Sequence, residues 1–289
     1  MKIFEQLERA RAWNAEETAV LDQLDRVVED VIAKNAARFD ESGEFPWPNV
    51  EALNALGLNA IFVPEAYGGT PTSYKFYLEV VKRISAACAS TGIIYATNFH
   101  GMKPLIDFGT EEQKRRLLPK IAEGGLASLA ITEPGAGSDA TGMETRFTPE
   151  GDEIRIDGGK TFISSGDVAD RILLFGKWSE AGDGKDAIST LVVEGGTPGL
   201  TVLSKERKMG HRASSTVTLA FDGARVPRSN LLGEPGEGLS ILLASLNKSR
   251  PSIAAHAIGI ARAAFDDATA YARERIQSGR RVIDFQGNQ

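Results

Sequence analysis

Apolar residues near the start of the chain recur at three- and four-residue steps: Val20, Leu21, Leu24, Val27, Val28, Val31 and Ile32. That spacing lines one side of a helix and predicts an amphipathic element with a single buried stripe. The helical reading covers residues 17–126, with punctuation. Pro46-Trp-Pro48 breaks it. Pro48 suits the first turn of a short helix running to Leu56, and Gly57 suits its stop. Pro64-Glu-Ala-Tyr-Gly-Gly69 predicts a turn. Thr110-Glu-Glu-Gln113 has the capping-box pattern, in which hydroxyl and amide each satisfy an orphaned backbone N–H; it opens a helix to about Ile121.

From Ala127 to Val226 the pattern changes to short β-rich runs separated by turn residues. Ile154-Arg-Ile156 alternates and is followed by Asp157-Gly-Gly159, read as a turn. Thr161-Phe-Ile163, Arg171–Phe175, Ser189–Val193 and Thr216–Phe221 read as further strands, and Gly195–Gly199 as a loop. From Gly238 the helical period returns. Leu239, Leu242, Leu243 and Leu246 form one stripe; Ile253, Ile258, Ile260, Ala264 and Phe265 form that of a second, Ala-rich helix. The pattern predicts a multidomain α+β chain. Its expected parts are an N-terminal α-helical domain (1–126), a middle β-barrel or sandwich domain (127–228), and the start of a C-terminal helical bundle (229–289).

Composition narrows the chemistry. Of 289 residues 42% are hydrophobic and 25% charged, ordinary for a globular protein with a sizeable core. A net charge of −6 argues against a phosphate-binding surface for nucleic acid. With one cysteine, Cys88 between alanines, no intrachain disulfide can form, and the residue reads as a small buried one. His100, His211 and His256 show no metal-ligand spacing, so no metal site is expected. The N-terminal Met1-Lys-Ile-Phe-Glu-Gln-Leu-Glu8 has no apolar signal core, and no run reaches membrane-spanning length; a cytoplasmic protein is the expectation.

One segment stands out. In Ile131-Thr-Glu-Pro-Gly-Ala-Gly-Ser-Asp139 a strand ends at Thr132, Pro134 breaks it, and Gly135 and Gly137 free the backbone. Such a loop can present N–H groups and a hydroxyl to an anionic or carbonyl-rich ligand. It is not a dinucleotide fingerprint, because Pro134 intervenes and no amphipathic helix follows. On these residues alone a plain β-turn remains the alternative.

That segment resembles the flavin-binding signature of the acyl-CoA dehydrogenases. Ala89-Ser-Thr-Gly92, Phe108–Lys114, Gly158-Gly-Lys-Thr-Phe-Ile-Ser-Ser165, Met209-Gly-His-Arg-Ala-Ser-Ser-Thr216, Val226-Pro227, Leu232–Gly238 and Asn247-Lys-Ser-Arg-Pro251 resemble further segments of that family, in its order, over roughly residues 17–286. The resemblance implies bound FAD and oxidation of an acyl-CoA thioester to the trans-2-enoyl-CoA. It also implies an electron-transfer flavoprotein as acceptor and a homotetramer built as a dimer of dimers. Residue by residue, it implies that the strand Leu129–Ser138, with Leu129, Ile131, Thr132, Gly137 and Ser138, lines the flavin. Phe162, Ile163 and Ser164 form a second flavin segment. Ser138, Asn247 and Arg250 meet the substrate, Asn247–Arg250 being a helix start. Arg275, Gln277 and Gln286 reach the FAD of a neighbouring subunit. Phe162 stands where the family often has Trp, Ser164 where it often has Thr, and Ser278 where Phe is common, which would loosen packing at the neighbour's cofactor. The Ala89–Ala96 stretch suits a helix lining an acyl pocket.

The catalytic base is the exception. The family places its Glu either directly before the Arg matched by Arg250, or well beyond the segment matched by Phe285-Gln286. The first position holds Ser249, far too weak a base. Glu133 belongs to the signature, and Asp266 and Asp267 follow the substrate segment unmatched. The base is therefore expected beyond residue 289, and the 289-residue chain alone is expected to be inactive. Rival expectations are a truncated non-catalytic flavoprotein subunit serving assembly, or an acyl-CoA oxidase or flavin monooxygenase of the same fold.

Overall fold

The computed structural model describes residues 12–288. The N-terminal segment read above as lacking an apolar signal core lies outside them. The described residues open with α1 (Ala15–Val27), α2 (Ala33–Ser42), α3 (Trp47–Ala55), α4 (Tyr74–Ala87), α5 (Ala89–Phe108) and α6 (Glu111–Ala122). A π-helical turn, Val28–Ile32, joins α1 to α2, so the apolar stripe runs on with Leu21, Leu24 and Ile32 buried. Thr110 and Gln113 form the expected capping box, and Asn14 and Glu17 form a second one at α1. Phe76, Tyr77, Val80, Val81 and Ile84 of α4 pack with Tyr95 and Phe99 of α5 at the centre of this unit. Cys88, between α4 and α5, is buried and free.

An eight-stranded sheet follows: β1 (Ala127–Ala130), β2 (Arg146–Glu150), β3 (Glu153–Ser164), β4 (Arg171–Trp178), β5 (Ile188–Glu194), β6 (Leu200–Lys205), β7 (Thr216–Pro227) and β8 (Leu231–Leu232), ordered β6-β7-β3-β2-β4-β5-β8. β1 joins β4 in parallel, pairing Ala127–Ala130 with Arg171–Leu174. β2 is the hinge, antiparallel to β3 and parallel to β4. The sheet curls there, so Ile154, Ile156, Val217 and Leu219 from one half share a core with Ile172, Leu174, Leu191 and Val193 from the other. Leu173 and Phe175, on the opposite face of β4, pack against Met102, Leu105, Leu117 and Leu118 of α5 and α6. Both faces of β4 are thus covered, which is why its sequence is a continuous apolar run rather than an alternation.

Three readings need correcting. Asp157-Gly-Gly159 is not a turn: β3 runs through it, with a register shift between Ile156 and Gly158. β2 and β6 were not foreseen. β2 is short and contains Pro149, and β6 is exposed throughout apart from the half-buried Leu200, so neither carries a clear period-two pattern. Instead of two helices, the C-terminal part is one, α7 (Gly238–Glu274, 37 residues), with Pro251 inside it. Around it, the Tyr74 hydroxyl donates to the Lys248 carbonyl and the Ser252 hydroxyl to that of Ser249 at 2.7 Å.

The buried face of α7 follows the expected stripe only at its start, where Leu239, Leu242 and Leu246 pack on the core between helices and sheet. Ile241 and Leu242 are buried, but Leu243, Ile253, Ile258 and Phe265 are exposed. Ser245, Ser249, Ser252, Ala255, His256 and Gly259 face inward instead. A Cβ at Gly259 would lie 2.3 Å from the Lys82 carbonyl oxygen of α4, so the helices meet backbone to backbone. No helix among the described residues is long and apolar enough to cross a membrane.

Candidate active site

β1 is a four-residue strand, shorter than the Leu129–Ser138 strand expected. Its ladder to β4 stops at Ala130. Pro134 has no N–H to offer a ladder, and Glu133 and Ala136 exchange backbone bonds at 3.0 and 3.1 Å across a tight turn. Beyond Ala130 the chain passes to the other half-sheet: the Thr161 N–H donates to the Thr132 carbonyl at 2.9 Å. Asp139 then caps a short 3-10 turn by accepting from the Thr141 N–H at 3.1 Å. Leu129 and Ile131 are half-buried against the core between helices and sheet. Gly137 and Ser138 are exposed.

Phe162 lies directly after Thr161. Its backbone has φ 60°, Ser165 has φ 57°, and the pairing of β3 with β7 is irregular between Lys160 and Ile163. Left-handed backbone at a bulky residue costs about 1–3 kcal/mol and persists where packing imposes it. The result here is an aromatic ring 62% exposed between buried Thr161 and Ile163. Ile163 itself points into the sheet core, so only its backbone is available to a ligand.

The structure therefore joins Thr132, Phe162 and Ser164 at one place. The Ser128 hydroxyl ties β1 to this segment by donating to the Ser164 carbonyl at 2.6 Å. The hydroxyls of Thr132, Ser138 and Ser164, and the N–H groups of Gly137 and Ser138, have no intramolecular partner among the described residues. A Cβ at Gly135 or Gly137 would meet nothing within 4 Å, so the loop is open on its outer side. An exposed ring on a segment joined to that of Thr132, with the Thr132 and Ser164 hydroxyls unspent, fits a planar heteroaromatic ligand with carbonyl and ring-nitrogen acceptors. FAD has that chemistry.

Asn247–Arg250 is not a helix start but the interior of α7. Arg250 Nη1 donates to Asn247 Oδ1 at 2.6 Å, and both residues are exposed. Ser249 is buried between them, and its hydroxyl donates to the Leu246 carbonyl at 3.1 Å. Arg275 ends α7 and leads into a hairpin, β9 (Ile276–Gln277) and β10 (Arg280–Arg281), whose turn holds Ser278 at φ 52° and Gly279 at φ 78°. With its amide oxygen facing the guanidinium, Gln277 accepts from Arg275 Nη2 at 2.8 Å. Arg275, Gln277 and Gln286 are all exposed. Their contacts are with one another's segment and the end of α7, and the single chain does not gather them with Thr132 and Phe162.

The histidines, distant in sequence, meet around α7. His100 Nε2 lies 2.7 Å from Ser252 Oγ, and His211 Nε2 lies 2.8 Å from His256 Nε2. His256 Nδ1 is 2.7 Å from Ser85 Oγ, whose proton goes to the Val81 carbonyl at 2.6 Å. The serine proton is thus committed, so Nδ1–H of His256 donates to Ser85 and its Nε2 accepts from His211. Burial pushes His100 and His256 down to about 4, with the neighbouring His211 adding to the shift at His256. No group of three or more potential metal ligands occurs among the described residues.

Residues 14–125, 128–224 and 236–289 match the models of the acyl-CoA dehydrogenase N-terminal, middle and C-terminal domains. A probable acyl-CoA dehydrogenase of Bacillus subtilis, YngJ, is 41% identical over 276 residues, covering 95% of this chain and 73% of its own length. The butyryl-CoA dehydrogenase of Megasphaera elsdenii superposes with a TM-score of 0.92 at 32% identity, over 96% of this chain and 74% of that one. An acyl-CoA dehydrogenase of Bacillus anthracis complexed with FAD superposes with a TM-score of 0.86 at 29% identity, over 94% of this chain and 47% of that one. With the ordered motifs, the fold and the open ring-and-hydroxyl site in agreement, the chain belongs to the acyl-CoA dehydrogenase family of FAD-dependent oxidoreductases.

Proposed function

We propose that the chain holds the flavin of FAD against Thr132, Phe162 and Ser164, and that its reaction is oxidation of an acyl-CoA thioester to the trans-2-enoyl-CoA. Electrons then pass to an electron-transfer flavoprotein. The working form is a homotetramer, a dimer of dimers, in which Arg275, Gln277 and Gln286 serve a neighbouring subunit's FAD. When bound, FAD supplies the hydride acceptor for the β-carbon. The observation that carries the reading is Phe162, a ring exposed on strained backbone beside unspent hydroxyls.

The residues divide the work. Phe162 offers a ring face for stacking, which an exposed aromatic in water does not otherwise repay. Thr132 and Ser164 hydroxyls donate to, or accept from, the polar edge. Ser138 and the free Gly137 and Ser138 N–H groups meet the cofactor and the pantetheine arm of the substrate. Asn247 and Arg250 meet the substrate from α7. The Arg275 guanidinium fits pyrophosphate oxygens by its planar fork.

Proton abstraction needs a base within reach of the α-carbon, and the hydroxyl at Ser249 cannot serve. This leads to a direct test. The chain is loaded with FAD and mixed anaerobically with acyl-CoAs of graded length, while the flavin's visible absorbance is followed. The Ser249→Glu variant is expected to bleach at least roughly a hundredfold faster than the parent chain, the usual contribution of a positioned general base. If the variant folds and binds FAD, yet no acyl-CoA bleaches it faster than the parent, the placement of α7 over the thioester is wrong.

A further inference from the structure

Two residues before Phe162 in β3, Lys160 belongs to a buried ion pair. Lys160 Nζ donates to Glu133 Oε1 at 2.6 Å, with side chains 0% and 6% exposed, so both stand beneath the surface that a ligand can reach. The second donor of Lys160 goes to the Ile131 carbonyl at 2.9 Å. Glu133 is fully engaged: Oε1 also accepts from the Thr145 N–H at 3.1 Å and its hydroxyl at 2.6 Å, and Oε2 accepts from the Glu144 N–H at 2.6 Å. Burial pulls the Lys160 ammonium down to about 8 against the attraction of Glu133. Burial pushes the Glu133 carboxyl up, but the Lys160 charge and the hydrogen bonds outweigh it and hold the group below its usual range. Both are ionised at neutral pH.

The placement of these bonds is specific. The β1 ladder ends at Ala130, and the chain crosses to β3 within the next two residues. Among the described residues Lys160 alone meets the Ile131 carbonyl there, and the Thr132 carbonyl takes the Thr161 N–H. Glu133 then closes the neck of the loop carrying Gly137 and Ser138, because Glu144 and Thr145 stand where that loop returns. One ion pair therefore sets three things at once: the height of Thr132 against β3, the entry of β3 into the strained turn at Phe162, and the neck of the glycine loop. Leucine or methionine of similar volume could fill the space, often without loss of stability, but could not hold the Ile131 carbonyl or the loop's N–H groups.

We propose that Glu133 and Lys160 are a positioning pair for the flavin: without touching it, they hold the Ile131–Thr132 and Phe162–Ser164 segments in the one register that fits its ring. The proposal rests on the flavin site described above. Every partner of Glu133 is a donor, so Glu133→Gln would turn an NH2 toward a donor and open the loop neck. Lys160→Met would leave a buried carboxylate without its cation and the Ile131 carbonyl without its partner.

The test compares Glu133→Gln, Lys160→Met, the double replacement Glu133→Leu with Lys160→Met, and Phe162→Ala as a variant of the site itself. FAD affinity is read by recovery of flavin fluorescence, the bound flavin by its visible circular dichroism and reduction potential at saturating FAD, and folding by thermal melts without FAD. Each single change in the pair is expected to weaken FAD binding at least roughly tenfold, the scale of one lost charge-assisted hydrogen bond. The visible dichroism and potential should shift even when FAD saturates. The double variant removes both buried charges together and should melt above either single variant while keeping the flavin shifts, which a pair serving stability alone would not do. If Phe162→Ala weakens FAD while the pair variants bind it with parental affinity, dichroism and potential, the pair is a fold staple and the proposal fails. If Phe162→Ala also leaves FAD binding untouched, the flavin site is misplaced and both readings fall.

Discussion

Gly101→Val is expected to cost about 3 kcal/mol or more of folding stability, the upper range for forcing volume into a close-packed contact. Gly101 lies on α5 where that helix meets β1. A Cβ there would sit 2.6 Å from the Ser128 nitrogen and 2.7 Å from the Ala127 carbonyl carbon, both backbone atoms that no rotamer change can move aside. The strand is also pinned: the Ala127 N–H donates to Asn98 Oδ1 at 2.6 Å, and the Ser128 hydroxyl donates to the Ser164 carbonyl at 2.6 Å. Pushing β1 away breaks these bonds together and displaces the segment after it. FAD affinity should therefore fall along with stability. Gly184→Ala is the control, since a Cβ there meets nothing within 4 Å. Urea denaturation followed by tryptophan fluorescence measures both; equal midpoints for Gly101→Val and the control would rule out the close approach of α5 to β1.

The second large effect is acid destabilisation that begins above the carboxylate range. His100 and His256 are held neutral by burial, with folded values near 4 against 6.5 for the free side chain. Between those values the unfolded chain takes up protons that the folded chain refuses. Stability from these groups is thus complete above pH 6.5 and is lost as pH falls toward 4. Each contributes a slope of about 1.4 kcal/mol per pH unit while its unfolded form is protonated and its folded form is not. His211 shares the direction through burial and the nearby Lys208 charge, opposed by Asp40. Melting temperature measured across this window should decline smoothly. His100→Asn and His256→Asn should each flatten the decline by roughly half of the two-histidine slope. A flat profile between pH 6.5 and 5.5, above the range of ordinary carboxylates, would show that these imidazoles protonate freely in the folded state.

Much of the fold was legible because local pattern and tertiary burial agree. The stripe from Val20 to Ile32, the capping box at Thr110 and the apolar run of β4 each state in sequence what packing then uses. α7 departs from the expected pattern beyond its first turns: Leu239, Leu242 and Leu246 pack on the core between helices and sheet, whereas Ile253, Ile258 and Phe265 are exposed. The inward face is built from serines, a histidine and a glycine, whose value lies in letting backbones approach and in hydrogen bonds to α4 and α5. Periodicity methods count hydrophobicity, and this contact is made by small size. The candidate site shows the same division. Thr132, Ser138, Phe162 and Ser164 stand out by their motif matches, whereas Lys160 reads as one polar residue between glycines and a threonine, with no mark of its burial.

The family, the order of helical and β-rich parts, the order of the motifs and the serine in place of a carboxylate at position 249 were legible in the chain alone. These are properties of residue type and spacing, which a linear chain carries in full. The tertiary structure alone decided that β1 hands its chain from β4 to β3, that Phe162 is strained outward, that three distant histidines meet around α7, and that Glu133 and Lys160 neutralise each other beneath the site. Each of these depends on which groups lose water together. Desolvation is a property of the packed assembly, so no single stretch of residues can announce it.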